Sequence, residues 1–352
     1  MIDAKRAATN RSHEIPRRRV SVARRGGSLV FDAFPPTRSA SWSALFFLCV
    51  GLAPMTACSR SDSEPKKNQR LNLLCTFLPV YLHTLNVVGN DPTVSIHLLV
   101  PSDAGCPHQY AVRQVDLKRI SHADVVIANG LGMEPFLDEL LKANPAVKVI
   151  SLSDDCDAIQ VATHHHDDHE SHEHGHDKEV NGHVWVSPLQ AAKQVRALGQ
   201  KLGVLDPSRA TQYAENATAF AARLEAVGSE MKAAAATFAR RKIVCFHDAF
   251  AYLARDLSLE VVATFVAEAE ESVSAQQMVQ LVETIRSTKA AAIFFEPGTS
   301  ERTARTVGLD AGVPVFPLNP VSAVKGAPHA DSYERIMREN TATLRQALGV
   351  KP

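Results

Sequence analysis

Short apolar runs alternate with segments of helical periodicity along the chain from Leu71 onward. The apolar runs predict strands at residues 71–77, 93–100, 123–129, 147–152, 241–246, 259–266, 290–296 and 313–318. Because these strands are apolar along their length and are separated by predicted helices, they indicate parallel sheets covered on both faces.

The segment 206–240 has a different character. It begins with Asp206-Pro207 and continues as an alanine-rich stretch, which predicts one helix about 50 Å long at a rise of 1.5 Å per residue. A helix of that length is expected to cross two domains. The sequence therefore predicts an α/β protein with two Rossmann-like lobes of mostly parallel sheets, at 71–205 and 241–352, joined by one long rigid linker helix.

Composition agrees with this organisation and adds an asymmetry of charge. The chain has 352 residues, 45% of them apolar and 22% charged, as in globular proteins of about two domains. Of 38 basic and 38 acidic residues, nine and three respectively lie within residues 1–57. The remainder is acidic and lacks a basic stripe, so nucleic acid is not expected as a partner.

The first 57 residues have the pattern of an export signal. A basic segment precedes a short apolar run at 44–53 and then small residues before Cys58, and such a run is too short to span a bilayer as a stable helix. We expect a signal peptide over 1–57, lipid attachment at Cys58 and a polar tether over 58–70. The mature chain would then be periplasmic or extracytoplasmic and attached to a membrane by its lipid. A plain signal peptide is the alternative, and the long basic segment leaves the true start open.

A histidine-rich stretch interrupts the first predicted lobe at 164–177. It has no apolar periodicity, and nearly all its side chains are imidazole or carboxylate groups, which bind divalent transition metals. This composition predicts a loop with several weak, exchanging metal sites rather than one defined site. Its histidines are His164, His165, His166, His169, His172, His174 and His176.

Three other histidines are candidates for a defined site. His108 follows the second predicted strand, His183 precedes Val-Trp-Val, and His247 directly follows the strand at 241–246. Ligands of α/β sheets bind beyond the carboxyl ends of the strands. The three imidazoles could therefore converge on one ion between the lobes, and Zn²⁺ accepts such nitrogens in tetrahedral geometry.

The remaining histidines and cysteines receive structural interpretations. His83, His97 and His122 lie within helix or strand patterns and are expected to serve the fold. Cys106 and Cys156 both lie in loops of the first lobe, where an exported protein could form a disulfide. Whether they are bridged stays open from the sequence.

Several motifs resemble, in the same order, those of the metal-binding (solute-binding) proteins of bacterial zinc/manganese ABC importers, the group with a rigid linker helix. The motifs are Pro-His-Gln-Tyr110, Ala123-Asp-Val-Val-Ile-Ala-Asn-Gly130, His183-Val-Trp-Val-Ser-Pro188, Phe246-His-Asp-Ala-Phe250, Phe295-Glu-Pro297 and Ser332-Tyr…Met337-Arg-Glu-Asn340. The resemblance covers about residues 71–348. It implies a monomeric binding protein, not an enzyme, with a buried ion held by His108, His183 and His247. Zinc-specific members of the family often carry a histidine-rich loop in this place.

One departure from the family concerns the fourth ligand. The family commonly supplies an aspartate from a Leu-Asp-Pro step after the last strand of the second lobe, and this chain has Leu318-Asn319-Pro320 there. A neutral amide is a weak ligand. The fourth position is therefore open among the Asn319 oxygen, a water molecule and a nearby carboxylate such as Glu296.

The sequence thus predicts capture of Zn²⁺ outside the inner membrane and its delivery to a cognate ABC permease. A manganese or iron receptor is an alternative, but those sites favour oxygen donors. A zinc hydrolase with three histidines and a water is an alternative from another class. Against it, no H-E-x-x-H motif is present, and Asp248 is interpreted as an outer partner of the ligands rather than a base. A metal buffer would not need two lobes.

Overall fold

The structure is a computed structural model that describes residues 70–161, 180–265, 274–298 and 301–351. The predicted signal peptide, the lipidation site Cys58, most of the tether and the histidine-rich loop 164–177 lie outside these ranges. Among the residues that are described, no helix combines the length and apolar character that crossing a membrane requires.

The first lobe contains a four-stranded parallel sheet. Its strands are β1 (Leu71–Cys75), β2 (Val94–Leu98), β3 (Val125–Ala128) and β4 (Lys148–Ser151). They are arranged in the order β2-β1-β3-β4, and every pairing is parallel. Every residue of β3 is buried, as expected for a strand with helices on both faces. The helices of this lobe are α1 (Leu78–Val88), α2 (Gln114–Ser121), α3 (Leu137–Ala143) and α4 (Pro188–Leu205).

A short antiparallel hairpin follows this sheet and was not predicted. It pairs β5 (Ile159–Gln160) with β6 (Val180–Asn181), so its strands flank the segment that contains the histidine-rich loop. Strands of two residues are too short to leave an alternating pattern in the sequence.

The second lobe repeats the arrangement of the first. Its strands are β7 (Lys242–Cys245), β8 (Glu260–Thr264), β9 (Ala292–Phe295) and β10 (Val315–Pro317). They form a parallel sheet in the order β10-β9-β7-β8. Its helices are α6 (Ala251–Leu257), α7 (Ala275–Thr288), α8 (Glu301–Ala311) and α9 (Ser332–Leu348). The predicted fold class, two α/β lobes with parallel sheets, is confirmed.

The linker between the lobes is α5 (Ala210–Ala236), a helix of 27 residues. At 1.5 Å per residue it is about 40 Å long, shorter at both ends than the predicted span. It packs against α1 and α4 of the first lobe and against α6 and α9 of the second. A Cβ atom at Gly199 of α4 would lie 2.5 Å from the Cβ of Ala217, so glycine permits the close approach of α4 and α5. The helix is therefore part of the core rather than a free spacer.

Buried and partly buried hydrogen bonds hold the two lobes together near their shared edge. The indole N–H of Trp185 donates to the carbonyl of Pro320 at 2.7 Å, and the hydroxyl of Tyr333 donates to the carbonyl of Trp185 at 2.7 Å. The side-chain amide of Asn181 donates to the carbonyl of Asp248 at 2.9 Å. These bonds fix the segment 181–185 of the first lobe against the second lobe.

Candidate metal centre

Three histidines and one cysteine converge where the lobes meet. The candidate ligand atoms of Cys106, His108, His183 and His247 all lie within 4.8 Å of one another. His108 lies in a 3₁₀ turn after β2, His183 precedes the 3₁₀ turn Val184–Val186, and His247 lies two residues after the end of β7. The structure therefore brings together the three histidines singled out from the sequence. His97 and His122 are exposed, and His83 is buried in the core.

His183 is the centre of this group and is 1% exposed. Its ring centroid lies 5.1 Å from that of His108 and 4.7 Å from that of His247. The ring nitrogen Nδ1 lies 3.0 Å from Asn181 Oδ1. Because that amide oxygen can only accept, Nδ1 carries the proton and Nε2 is left for an ion.

The protonation state of His183 favours metal binding. Burial, and then the neighbouring His247 and His108, lower the pKa of His183 well below its usual value. The ring is therefore neutral at physiological pH, and an ion does not have to displace a proton from it.

His247 is oriented by a carboxylate. Its Nδ1–H donates to Oε1 of Glu296, which is 2% exposed, and this leaves Nε2 on the side of the cluster. Burial alone would lower the pKa of His247, but hydrogen bonds with Cys106 and Glu296 outweigh it and raise the pKa. Glu296, expected as an alternative fourth ligand, thus contacts the His247 ring at Nδ1. Asp248 Oδ1 lies 3.3 Å from His247 Nε2 and is 40% exposed.

His108 forms the open side of the cluster because its side chain is exposed. Its Nδ1 lies 3.5 Å from the Sγ of Cys106, and this hydrogen bond is the main cause of its raised pKa. Solvent therefore reaches His108 more readily than the buried His183.

Cys106 is the member of the cluster that sequence reasoning missed. Its Sγ also lies 3.5 Å from His183 Nε2. Cys106 and Cys156 are both free thiols, and Cys156 directs its sulfur to the carbonyl of Gln190 at 3.9 Å. The signal that could have identified Cys106 is its place two residues before His108, in the loop already assigned to the metal.

The side chain of Asn319 forms hydrogen bonds within its own turn. Its side-chain N–H donates to the carbonyl of Ala323 at 2.8 Å, and its Oδ1 accepts the backbone N–H of Ser322 at 3.1 Å. This geometry disfavours Asn319 as a ligand, because these two hydrogen bonds hold its side-chain amide within the turn.

The contact between Glu296 and His247 yields a testable expectation. The Glu296→Gln variant keeps the size and an acceptor oxygen but removes the negative charge that holds the ring. We expect zinc affinity to fall about tenfold, the lower end of the effect of outer-shell partners. Competition titration of protein lacking 164–177 measures this loss.

A matched control is Glu334→Gln. Glu334 is also a buried carboxylate, 5% exposed, but it pairs with Arg223 at 2.9 Å. Its variant should retain wild-type zinc affinity. Equal affinities for the Glu296 variant and the wild type would contradict the orienting role.

Comparison with known proteins relates the chain to zinc-uptake proteins. Residues 73–347 match the family model described as ZnuA, zinc-uptake complex component A periplasmic. The chain is 29% identical over 296 residues to the zinc-binding lipoprotein AdcA of Streptococcus pneumoniae serotype 4 (strain ATCC BAA-334 / TIGR4), covering 83% of this chain and 58% of AdcA. The chain thus spans little more than half of that relative.

Solved structures with the same fold include two metal-bound proteins. The solute-binding protein FpvC of Pseudomonas aeruginosa in complex with Mn²⁺ is 28% identical, with a TM-score of 0.70 and coverage of 80% of this chain and 99% of FpvC. A zinc-bound deletion mutant of ZnuA is 25% identical, with a TM-score of 0.67 and coverage of 81% of this chain and 100% of the ZnuA mutant. These matches confirm the resemblance that the motifs indicated.

Proposed function

Because the chain belongs to the zinc-uptake complex component A family, we propose that it captures Zn²⁺ outside the inner membrane and delivers it to an ABC permease. The observation that carries this proposal is the convergence of His108, His183 and His247 from both lobes. In this role the chain is a monomeric binding protein and not an enzyme, and Zn²⁺ is its cargo. A lipid on Cys58 would keep it at the membrane, as the name of the AdcA lipoprotein also suggests.

The composition of the cluster supports zinc over manganese. Its candidate ligands are imidazole nitrogens and a thiol, which suit Zn²⁺, whereas Mn²⁺ is lowest in the divalent affinity order and prefers oxygen. Glu296 is engaged with His247. A manganese receptor remains the second candidate because a manganese complex of the related FpvC is known.

The placement of the ligands suggests how capture is coupled to the lobes. His108 and His183 belong to the first lobe and His247 to the second, so a bound ion links the two. Binding energy then favours the closed arrangement, and release to the permease would require the lobes to separate.

The histidine-rich loop 164–177 is proposed to collect zinc for this site. The strand β6 that follows it ends at Asn181, two residues before His183, and Asn181 holds the His183 ring. Ions gathered by the loop would therefore be concentrated beside the buried ligand.

Deleting residues 164–177 tests this division of labour. Calorimetric titration should show that several weak zinc equivalents disappear and that one tight equivalent remains. Native mass spectrometry of the as-isolated protein should find that the retained ion is zinc. Loss of the tight equivalent on deletion would place the primary ion in the loop, and manganese as the retained metal would favour the second candidate.

A further inference from the structure

The geometry points to Cys106 as the fourth ligand, a thiolate that completes a tetrahedral site of three histidines and one cysteine. This inference rests on the proposed function, because it concerns the ion bound by the same three histidines. It assigns the site to divalent ions that bind thiolate well, and Zn²⁺, the proposed cargo, is one of them.

The spacing of the atoms matches a tetrahedral zinc site. With Zn–N bonds of about 2.0–2.1 Å and a Zn–S bond of about 2.3 Å, nitrogen and sulfur at a tetrahedral angle are separated by about 3.6 Å. The Sγ of Cys106 lies 3.5 Å from His108 Nδ1 and 3.5 Å from His183 Nε2. An ion could therefore bind between these atoms with little movement of the loop that carries Cys106 and His108.

The charge of the ion also favours such a ligand. Three neutral imidazoles bring no negative charge into direct contact with the ion, and His183 is 1% exposed, where an uncompensated charge is costly. The nearby carboxylates of Glu296 and Asp248 contact His247. Asn319, at the family's acidic position, is neutral and bonded within its own turn. A thiolate at Cys106 supplies one negative charge in direct contact with the ion.

The thiol is free to take this role. Cys106 is partly buried and unbridged, and its neighbours within hydrogen-bonding distance include two of the histidine ligands. Cys156 is the thiol with which Cys106 could have formed a disulfide. Its sulfur points to the carbonyl of Gln190 instead.

A soft anionic sulfur has consequences for selectivity. Thiolate favours Zn²⁺ and Co²⁺ strongly, while Mn²⁺, which prefers carboxylate and water oxygens, gains little from it. Cys106 therefore takes the place of the missing family aspartate and shifts the preference of the site from manganese towards zinc.

The test uses Co²⁺ as the probe on the otherwise full chain lacking only 164–177, with thiols kept reduced. The wild-type site should show an intense near-ultraviolet thiolate-to-cobalt charge-transfer band together with tetrahedral d–d bands. The Cys106→Ser variant should lose the charge-transfer band. The matched variant Cys156→Ser should keep it, because that sulfur is bonded elsewhere.

Competition titrations with Zn²⁺ and Mn²⁺ supply the second readout. In Cys106→Ser, zinc affinity should fall by at least about tenfold, since a direct ligand contributes no less than an outer-shell partner. Manganese affinity should change much less, so the ratio of zinc affinity to manganese affinity should fall. The Cys106→Asp variant keeps the negative charge but offers an oxygen ligand. It should lower the ratio of zinc affinity to manganese affinity further, because it strengthens manganese binding.

The outcomes separate this inference from the proposed function. A wild-type cobalt complex without a charge-transfer band, or a Cys106→Ser variant with unchanged zinc affinity, would overturn the role of Cys106 while tight zinc binding by the histidines stands. Absence of any tight zinc equivalent in the wild-type protein would overturn both.

Discussion

Replacing His183 by alanine should abolish most of the zinc-induced rise in melting temperature. A ligand that binds only the folded protein adds RT ln(1 + [L]/Kd), about 4 kcal/mol at a thousandfold excess over Kd. His183 lies between the other two histidine rings, with centroids at 5.1 and 4.7 Å, so its loss opens the centre of the site. Calorimetric melting with and without zinc, on protein lacking 164–177, measures the shift.

The control for this experiment is His97→Ala. His97 lies on β2 of the same lobe, and its side chain is exposed. The His183 variant also leaves a cavity that lowers stability without metal. The melting temperature of each variant with zinc is therefore compared with that of the same variant without zinc. The His97 variant should keep the full zinc-induced shift. A shift of wild-type size in His183→Ala would refute the three-histidine site.

The fold could be predicted because buried parallel strands are visible in a sequence. All residues of β3 and of β9 are buried, which leaves continuous apolar runs that no exposed strand would have. His247 directly follows such a run, so its place at the sheet edge followed from the end of β7. The ends of α5 were harder to locate, because a 3₁₀ turn at Pro207–Arg209 runs directly into the helix.

The inner geometry of the site could not be predicted in the same way. Glu296 directly follows β9, but the sequence does not show that its carboxylate meets His247 Nδ1 rather than the ion. Cys106 could pair with Cys156 or join the histidines, and the choice depends on how the loop after β2 folds back. Such outcomes depend on contacts between residues far apart in the chain, and these leave no local pattern.

A buried histidine outside the site predicts a second large effect, on acid stability. His83 of α1 is 0% exposed, and its ring centroid lies 6.0 Å from that of Phe220 in α5 and 5.8 Å from that of Tyr333 in α9. It therefore lies where helices of both lobes meet the linker. Burial lowers the pKa of His83 to about 4, and neither nitrogen of the ring has a hydrogen-bond partner among the described residues.

The direction of the pH effect follows from linkage. The unfolded chain binds a proton at His83 with a pKa of about 6.5, whereas the folded protein resists protonation until about pH 4. The stabilisation by neutral His83 is present above pH 6.5 and is lost as the pH falls towards 4, because the unfolded state then binds more protons. The expected loss from this residue is about 2 kcal/mol at pH 5.

The variant His83→Gln isolates this contribution, because glutamine stays neutral at every pH. Urea unfolding of zinc-free protein at pH 7 and pH 5 gives the loss of unfolding free energy for each protein, and the wild type should lose about 2 kcal/mol more than the variant. Other buried histidines such as His183 contribute equally to both proteins and cancel in the difference. The control His97→Gln, at an exposed position, should lose as much unfolding free energy between pH 7 and pH 5 as the wild type. Equal losses in His83→Gln and the wild type would show that His83 is not held neutral between the helices.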